Sequence, residues 1–147
     1  LEFSLSDTLD DCVMDVKDYA LSLDKNIVTD IEKDISFKGD EKLIRQVIGI
    51  LLDNAIKYAR EKSDINVKLT KQNKKIVFTV ENEADNLEIK NYNILFERFY
   101  RADSSRNSKT GGYGIGLSIA QSIVLKHKGK ISADSFDGER IVFTVKL

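Results

Sequence analysis

Two hydrophobic periods that cannot share one element alternate along this chain, and their order constrains the fold more than any single motif does. Between Ser6 and Leu23, apolar Leu9, Cys12, Val13, Val16, Ala20 and Leu23 recur every three or four residues, which predicts an amphipathic helix capped by Ser6 or Asp7. Ile27-Val28-Thr29 and Ile35-Ser36-Phe37 are short alternating pieces, as in the two strands of a hairpin. After Gly39-Asp40, residues Leu43, Val47, Ile50, Leu51 and Tyr58 fall on one face of a second helix, with Asp40 as its cap. Ile65, Val67 and Leu69 alternate, as do Ile76, Phe78 and Val80, around the polar turn Lys71-Gln72-Asn73-Lys74, which predicts an antiparallel hairpin. Residues 81–93 are polar and irregular, and a short helical stretch is expected from Tyr92 to Tyr100. Residues 101–113, rich in Ser, Arg and Gly, read as a mobile surface loop. Ile115 to Lys126 is again helical through Ile119, Ile123 and Val124, and Lys130–Ser132 with Arg140–Leu147 forms a closing hairpin around Asp137-Gly138.

That order predicts an α+β fold, a two-layer sandwich with helices packed on one face of a mixed, mostly antiparallel sheet. With 147 residues and no repeat or linker, residues 1–147 read as a single domain. Lys and Arg number 23 against 24 Asp and Glu, so the electrostatic footprint of a nucleic-acid binder is missing. The one cysteine, Cys12, cannot form an internal disulfide and fits a reducing compartment. The one histidine, His127, rules out a multi-histidine metal site, and its place just before Gly129 suggests a helix cap or a surface role. No apolar run approaches the ~18 residues that would span a bilayer, and Leu1-Glu2-Phe3-Ser4 lacks the blocks of a signal peptide. A larger parent could still be anchored.

Three features carry potential chemistry. Asn54 follows Leu51 by three residues and Ile50 by four, so an amide shares the second helix's apolar face and must find partners. Lys57 and Tyr58 lie at i+3 and i+4 from it, where an amide oxygen could hold Mg²⁺ and an ammonium could attract phosphate. The plainer alternative is a satisfied amide beside a snorkelling lysine. Gly111-Gly112-Tyr113-Gly114-Ile115-Gly116 holds four of the chain's eight glycines and runs into a helix, a candidate polyphosphate cradle or else a hinge. It is neither a Walker A loop, lacking Gly-Lys-Ser/Thr, nor a dinucleotide fingerprint, whose third glycine would stand at Ile119. Arg98, Arg101, Arg106 and Lys109 place cations in the adjoining loop, where a closing lid could offset phosphoryl charge, or where solvent alone could surround them.

Together these segments resemble the ATP-binding catalytic domain of bacterial sensor histidine kinases, within the superfamily that also holds gyrase-type ATPases, Hsp90 chaperones and anti-sigma-factor kinases. Leu51 to Ala59 is similar to the family's asparagine box, Phe96 to Arg101 to its phenylalanine box, and Thr110 to Ala120 to its second glycine box. The segment Val124 to Gly129 is similar to the helix end that follows that box. The resemblance implies a Bergerat-type fold with a flexible ATP lid over about 98–113, and it implies ATP and Mg²⁺ as cofactors. It implies catalytic roles for Asn54, Lys57, Arg101 and Arg106, with Asn54 holding the metal. Nucleotide contacts are implied for Tyr58, Asn82, Leu87, Phe99, Tyr100, Gly112, Tyr113, Gly114, Ile115, Gly116 and Leu117.

The sequence departs from the family in two places. The first glycine box, usually Asp-x-Gly-x-Gly, aligns with Asn82-Glu83-Ala84-Asp85-Asn86, so an uncharged acceptor would read the adenine and both glycines are replaced. Ile50 stands where gyrase-type ATPases and anti-sigma serine kinases place a glutamate base. A neutral histidine acceptor already carries a nucleophilic ring nitrogen, so histidine phosphorylation is expected over hydrolysis or serine phosphorylation. The resemblance further implies an acceptor histidine on a dimerisation domain of the same protein and a downstream response regulator. The parent would be a homodimer anchored in the bacterial cell membrane, and this part a cytoplasmic, monomeric domain that contacts no nucleic acid. A catalytically weak nucleotide-binding or scaffolding module of the same fold is the alternative.

Overall fold

The computed structural model describes residues 1–100 and 115–147. The chain runs β1 (Glu2–Ser4), α1 (Leu5–Ser22), β2 (Asn26–Ile31), β3 (Ser36–Lys38), α2 (Glu41–Tyr58), β4 (Asp64–Gln72), β5 (Lys75–Glu83) and β6 (Lys90–Asn91). A 3₁₀ turn (Asn93–Phe96), α3 (Gly116–Lys126), β7 (Lys130–Ser135) and β8 (Arg140–Lys146) complete it. Six strands form one sheet in the order β2-β4-β5-β8-β7-β6, and β1 pairs with β3 in a separate ribbon. β2 runs parallel to β4 while every other neighbour in the large sheet is antiparallel, which is the mixed sheet that the sequence predicts.

Strict alternation sends one face of the central strands inward. Ile65, Val67 and Leu69 of β4, Ile76, Phe78 and Val80 of β5, and Ile141, Phe143 and Val145 of β8 are all buried. They meet Ile44, Val47, Ile48, Leu51, Leu52, Ala55 and Ile56 of α2, and Ala120, Ile123 and Val124 of α3. The sequence stripe on α2 is therefore rotated from its expected position. Leu43 and Ile50 are half-buried and Tyr58 is exposed, because α2 touches the sheet, α1 and α3 at once and buries a broader, shifted arc.

Three local expectations are corrected. The hairpin expected from 27–29 and 35–37 does not form: β2 joins β4 in parallel register, Ile27 opposite Ile65, and Phe37 of β3 lies opposite Phe3 of β1. The cap of α1 is Ser4, whose hydroxyl accepts from the Asp7 N–H at 3.2 Å. Ser6 is instead buried inside the first turn, donating to Glu32 O at 2.6 Å and accepting from the Ile35 N–H at 3.0 Å, so it fastens the β2–β3 bend to the helix. The helical stretch expected from Tyr92 to Tyr100 shrinks to one 3₁₀ turn, which buries Phe96 edge-on against Phe143. Asp40 caps α2 as expected, accepting from the Leu43 N–H at 3.2 Å.

The helix ends are tied to one another. Lys25 is buried beneath the last turn of α2 and donates to the Ile56 and Lys57 carbonyls, where helix geometry leaves acceptors unpaired. Burial pushes its ammonium below the usual lysine range, against the opposing pull of Glu61. His127 is the C-cap of α3: its Nδ1 is 2.9 Å from Ile123 O, and its Nε2 accepts from the Asp40 N–H at 3.1 Å. A single neutral ring thus joins the end of α3 to the start of α2, and it packs against Phe37. His127 is a half-buried cap rather than a surface residue.

Gly129 turns the chain from α3 into β7, and an added Cβ would stand 2.5 Å from Lys146 O, a backbone atom that cannot yield cheaply. Gly49, in the middle of α2, has nothing within 4 Å of that position. Gly129→Ala should destabilise the domain by about 1–3 kcal/mol, whereas Gly49→Ala should stabilise it by about 0.5–1 kcal/mol. Urea unfolding of the two variants measures both signs.

Candidate nucleotide-binding site

A cavity of about 640 Å³ opens between α2, the segment that follows β5, and the N-terminus of α3. One wall is a stripe along α2, in which Ile50, Asp53, Asn54, Lys57 and Tyr58 follow one another at i, i+3, i+4, i+7 and i+8. Asn54 is half-buried at the edge of the core, so its amide faces the cavity instead of lying within the apolar face. Lys57 Nζ is 3.1 Å from Asp53 Oδ2, an i,i+4 pair at the cavity rim.

The opposite wall begins at Asn82, the last inward-pointing residue of β5 and 1% exposed. Its Nδ2 donates to Glu83 O at 3.0 Å, and among the described residues nothing donates to its Oδ1. A buried acceptor left over in a concave site invites a donor from a ligand. Ala84, Asp85, Asn86 and Leu87 continue this wall without a glycine, and Asn86 takes the left-handed conformation (φ 61°) that asparagine tolerates better than most side chains. Ile141 and Phe143 of β8 add apolar lining.

The third side is the start of α3. Gly116 and Leu117 reach the cavity, and no side chain among the described residues caps this helix, so its first N–H groups remain available to an anion. Ile50 packs under Gly116: a Cβ built on the glycine would sit 3.7 Å from Ile50 Cγ2, an ordinary contact. Ile50 is thus a helix-packing residue, and it brings no proton acceptor to the place nearest Asn54.

The fold brings Asn54, Lys57, Tyr58, Asn82, Leu87, Tyr100, Gly116 and Leu117 together around this one cavity. It does not bring Phe99 or Ile115 there. Phe99, at φ 67°, is 66% exposed with its ring 5.5 Å from the Arg98 guanidinium, and Ile115 occupies the N-cap of α3 with its carbonyl taken by Ser118 Oγ. Arg101, Arg106, Gly112, Tyr113 and Gly114, and with them most of the expected lid, lie outside the described residues. Sequence reasoning missed Asp53, Lys90 and Tyr92 as lining residues. Asp53 was detectable from its i,i+4 spacing to Lys57, but Lys90 and Tyr92 carried no signal, because pairing of β6 with β7 is what brings them there. Among the described residues no three His, Cys, Asp or Glu side chains gather as a metal site, and no helix is long and apolar enough to cross a membrane.

Comparison with known proteins finds similar sequences and similar folds. The sequence profile of the family described as "Histidine kinase-, DNA gyrase B-, and HSP90-like ATPase" matches residues 39–147. The chain is 32% identical over 144 residues to the sensor histidine kinase RppB of Synechocystis sp., covering 95% of this chain and 32% of that protein. It is 38% identical over 124 residues to the sensor histidine kinase YkoH of Bacillus subtilis, covering 84% of this chain and 27% of that one. It therefore spans about a third or less of the length of these relatives. The fold matches the catalytic domain of histidine kinase ThkA in a nucleotide-free form, with TM-score 0.84, 20% identity, and coverage of 100% of this chain and 93% of that one. The mycobacterial sensor histidine kinase MprB matches at TM-score 0.83 with 19% identity, covering 100% and 95% of the two chains.

The Asp53–Lys57 pair is partly exposed, so Asp53→Asn and Lys57→Met should each change stability by no more than about 0.5 kcal/mol. Thermal or urea unfolding checks this, and any larger loss of ligand affinity in Lys57→Met then reports on the cavity.

Proposed function

We infer that this chain, which belongs to the histidine kinase-, DNA gyrase B- and HSP90-like ATPase family, binds Mg²⁺-ATP in the cavity and presents the γ-phosphate to a histidine on another domain of the same protein. The observation that carries this reading is the pair of amides, Asn54 and Asn82, on opposite walls of one cavity, with the start of α3, which no side chain among the described residues caps, beside them. One amide suits a hard cation and the other a purine edge, and the helix terminus suits the phosphates that join them.

In this reading Asn82 Oδ1 accepts from the adenine amino group, Tyr58 and Tyr100 flank the nucleotide, and Leu87, Ile141 and Phe143 exclude water from the base. Asn54 Oδ1 would hold Mg²⁺, which when bound neutralises phosphate charge. Lys57 exchanges Asp53 for a phosphate oxygen, and the N–H groups of Gly116 and Leu117 face the same charge. Gly112 and Gly114 extend that backbone approach, and Arg101 and Arg106 meet the terminal phosphate from the lid over about 98–113. In the transfer itself, the lone pair of a neutral imidazole nitrogen forms the N–P bond, the β–γ bridging oxygen leaves with its bonding pair on ADP, and the resulting imidazolium then passes the proton of its other N–H to solvent water. No base is needed at Ile50 for that step, whereas activation of water would need one.

The acceptor histidine then lies on a dimerisation domain outside this sequence, since both ring nitrogens of His127 are engaged in capping and bridging. A response regulator takes the phosphoryl group onward. The parent is a membrane-anchored homodimer, and residues 1–147 form its monomeric cytoplasmic domain with no role in nucleic-acid binding. Ile50 and the glycine-free wall favour one second reading, a nucleotide-binding module with negligible transfer.

Calorimetric titration with ATP should show binding that strengthens with Mg²⁺, while the domain alone releases no phosphate. With an acceptor domain supplied, γ-labelled ATP should label its histidine, and Asn54→Ala should cut that labelling by at least about 100-fold while circular dichroism stays unchanged. Tight binding without transfer to any acceptor would favour the second reading, and absence of binding would remove both.

A further inference from the structure

Arg60 lies just past the C-cap of α2 and outside the cavity, yet it holds the wall that follows Asn82. Its backbone N–H donates to Glu83 O at 3.0 Å. Its guanidinium donates from Nε to Asp85 Oδ1 at 2.9 Å, from Nη1 to Glu83 Oε1 at 3.2 Å and from Nη2 to Ala84 O at 3.2 Å. Nη2 also lies 3.6 Å from Glu139 Oε2, and the Ala84 N–H donates to Glu139 O at 3.0 Å. One planar fork therefore gathers the end of β5, the first residues of the wall and the residue that precedes β8.

The wall needs such a tie. From Asn82 to Leu87 there is no glycine, so its path is not set by backbone freedom, and Glu83, Asp85 and Glu139 would crowd like charges together if the guanidinium were absent. We propose that Arg60 is a positioning residue for the base: its fork fixes Glu83 to Asp85, so that Asn82 Oδ1 just before them and the Leu87 side chain just beyond them stand in register to receive adenine. The proposal rests on the nucleotide reading above. Arg60 is 38% exposed, so its ion pairs add little to overall stability, and its effect is exerted on the geometry of the wall.

The test separates the base from the phosphates. Wild type, Arg60→Met and Arg60→Lys are titrated calorimetrically with Mg²⁺-ATP and with Mg²⁺-tripolyphosphate, which carries the phosphates without a base. Arg60→Met should raise the Kd for ATP about tenfold and change that for tripolyphosphate less than about twofold. Arg60→Lys should recover part of the ATP affinity, because a point cation keeps the charge but not the fork. Asp85→Asn should weaken ATP in the same selective way and add little on top of Arg60→Met. Equal weakening of both probes, or unchanged ATP affinity in both Arg60 variants, overturns the proposal. If the wild-type chain binds neither probe, the nucleotide reading falls and this one with it. If the wild type binds ATP and the variants bind it equally well, Arg60 alone is misassigned.

Discussion

Every helix end in a compact domain leaves polar backbone groups that something must satisfy, and among the described residues this demand is met from within except at the start of α3. Ser4 and Asp40 close the starts of α1 and α2, Lys25 lies under the last carbonyls of α2, and His127 and Gly129 turn back onto the last turn of α3. The start of α3 has no such partner among the described residues, and it opens beside Asn54 and Asn82. Packing requires the same arrangement: α2 must bury an arc against the sheet and α3, which leaves the flank from Ile50 to Tyr58 as the wall nearest that open end.

Local patterns made much of this legible in the sequence. The β4–β5 and β7–β8 hairpins, the cap at Asp40 and the extent of α3 depend on neighbours a few residues away, and they stand where periodicity and turn chemistry put them. The pairing of β2 was not legible. Alternation tells which face a strand buries but not which strand lies beside it, and β2 finds β4 from 38 residues away, Asn26 opposite Asp64. Ser4 and Ser6 are two hydroxyls at one helix start, and only the bend at Glu32 to Ile35 decides which one caps and which one bridges.

The site divides along the same line. Asn54, Lys57 and Tyr58 were readable because spacing on one helix fixes their shared edge, whereas Asn82 was reached through family resemblance and its buried, half-satisfied amide is a property of the fold. Arg60 and Lys25 escaped notice for a common reason. Each is a long cationic side chain whose acceptors lie more than twenty residues away, and in sequence such a residue is indistinguishable from a solvated one. Phe99 and Ile115, implied by the resemblance alone, stand outside the cavity lining on either side of the segment beyond the described residues.

The ring of His127 has a mechanical consequence. It rivets the far end of α3 to the near end of α2, while Gly116 rests on Ile50 at the opposite end of the pair. The two helices are thus fastened at both ends and share one buried cluster between them, so the spacing from the Asn54 flank to the open start of α3 is set by packing outside the cavity, and a ligand meets a gap whose width is already fixed.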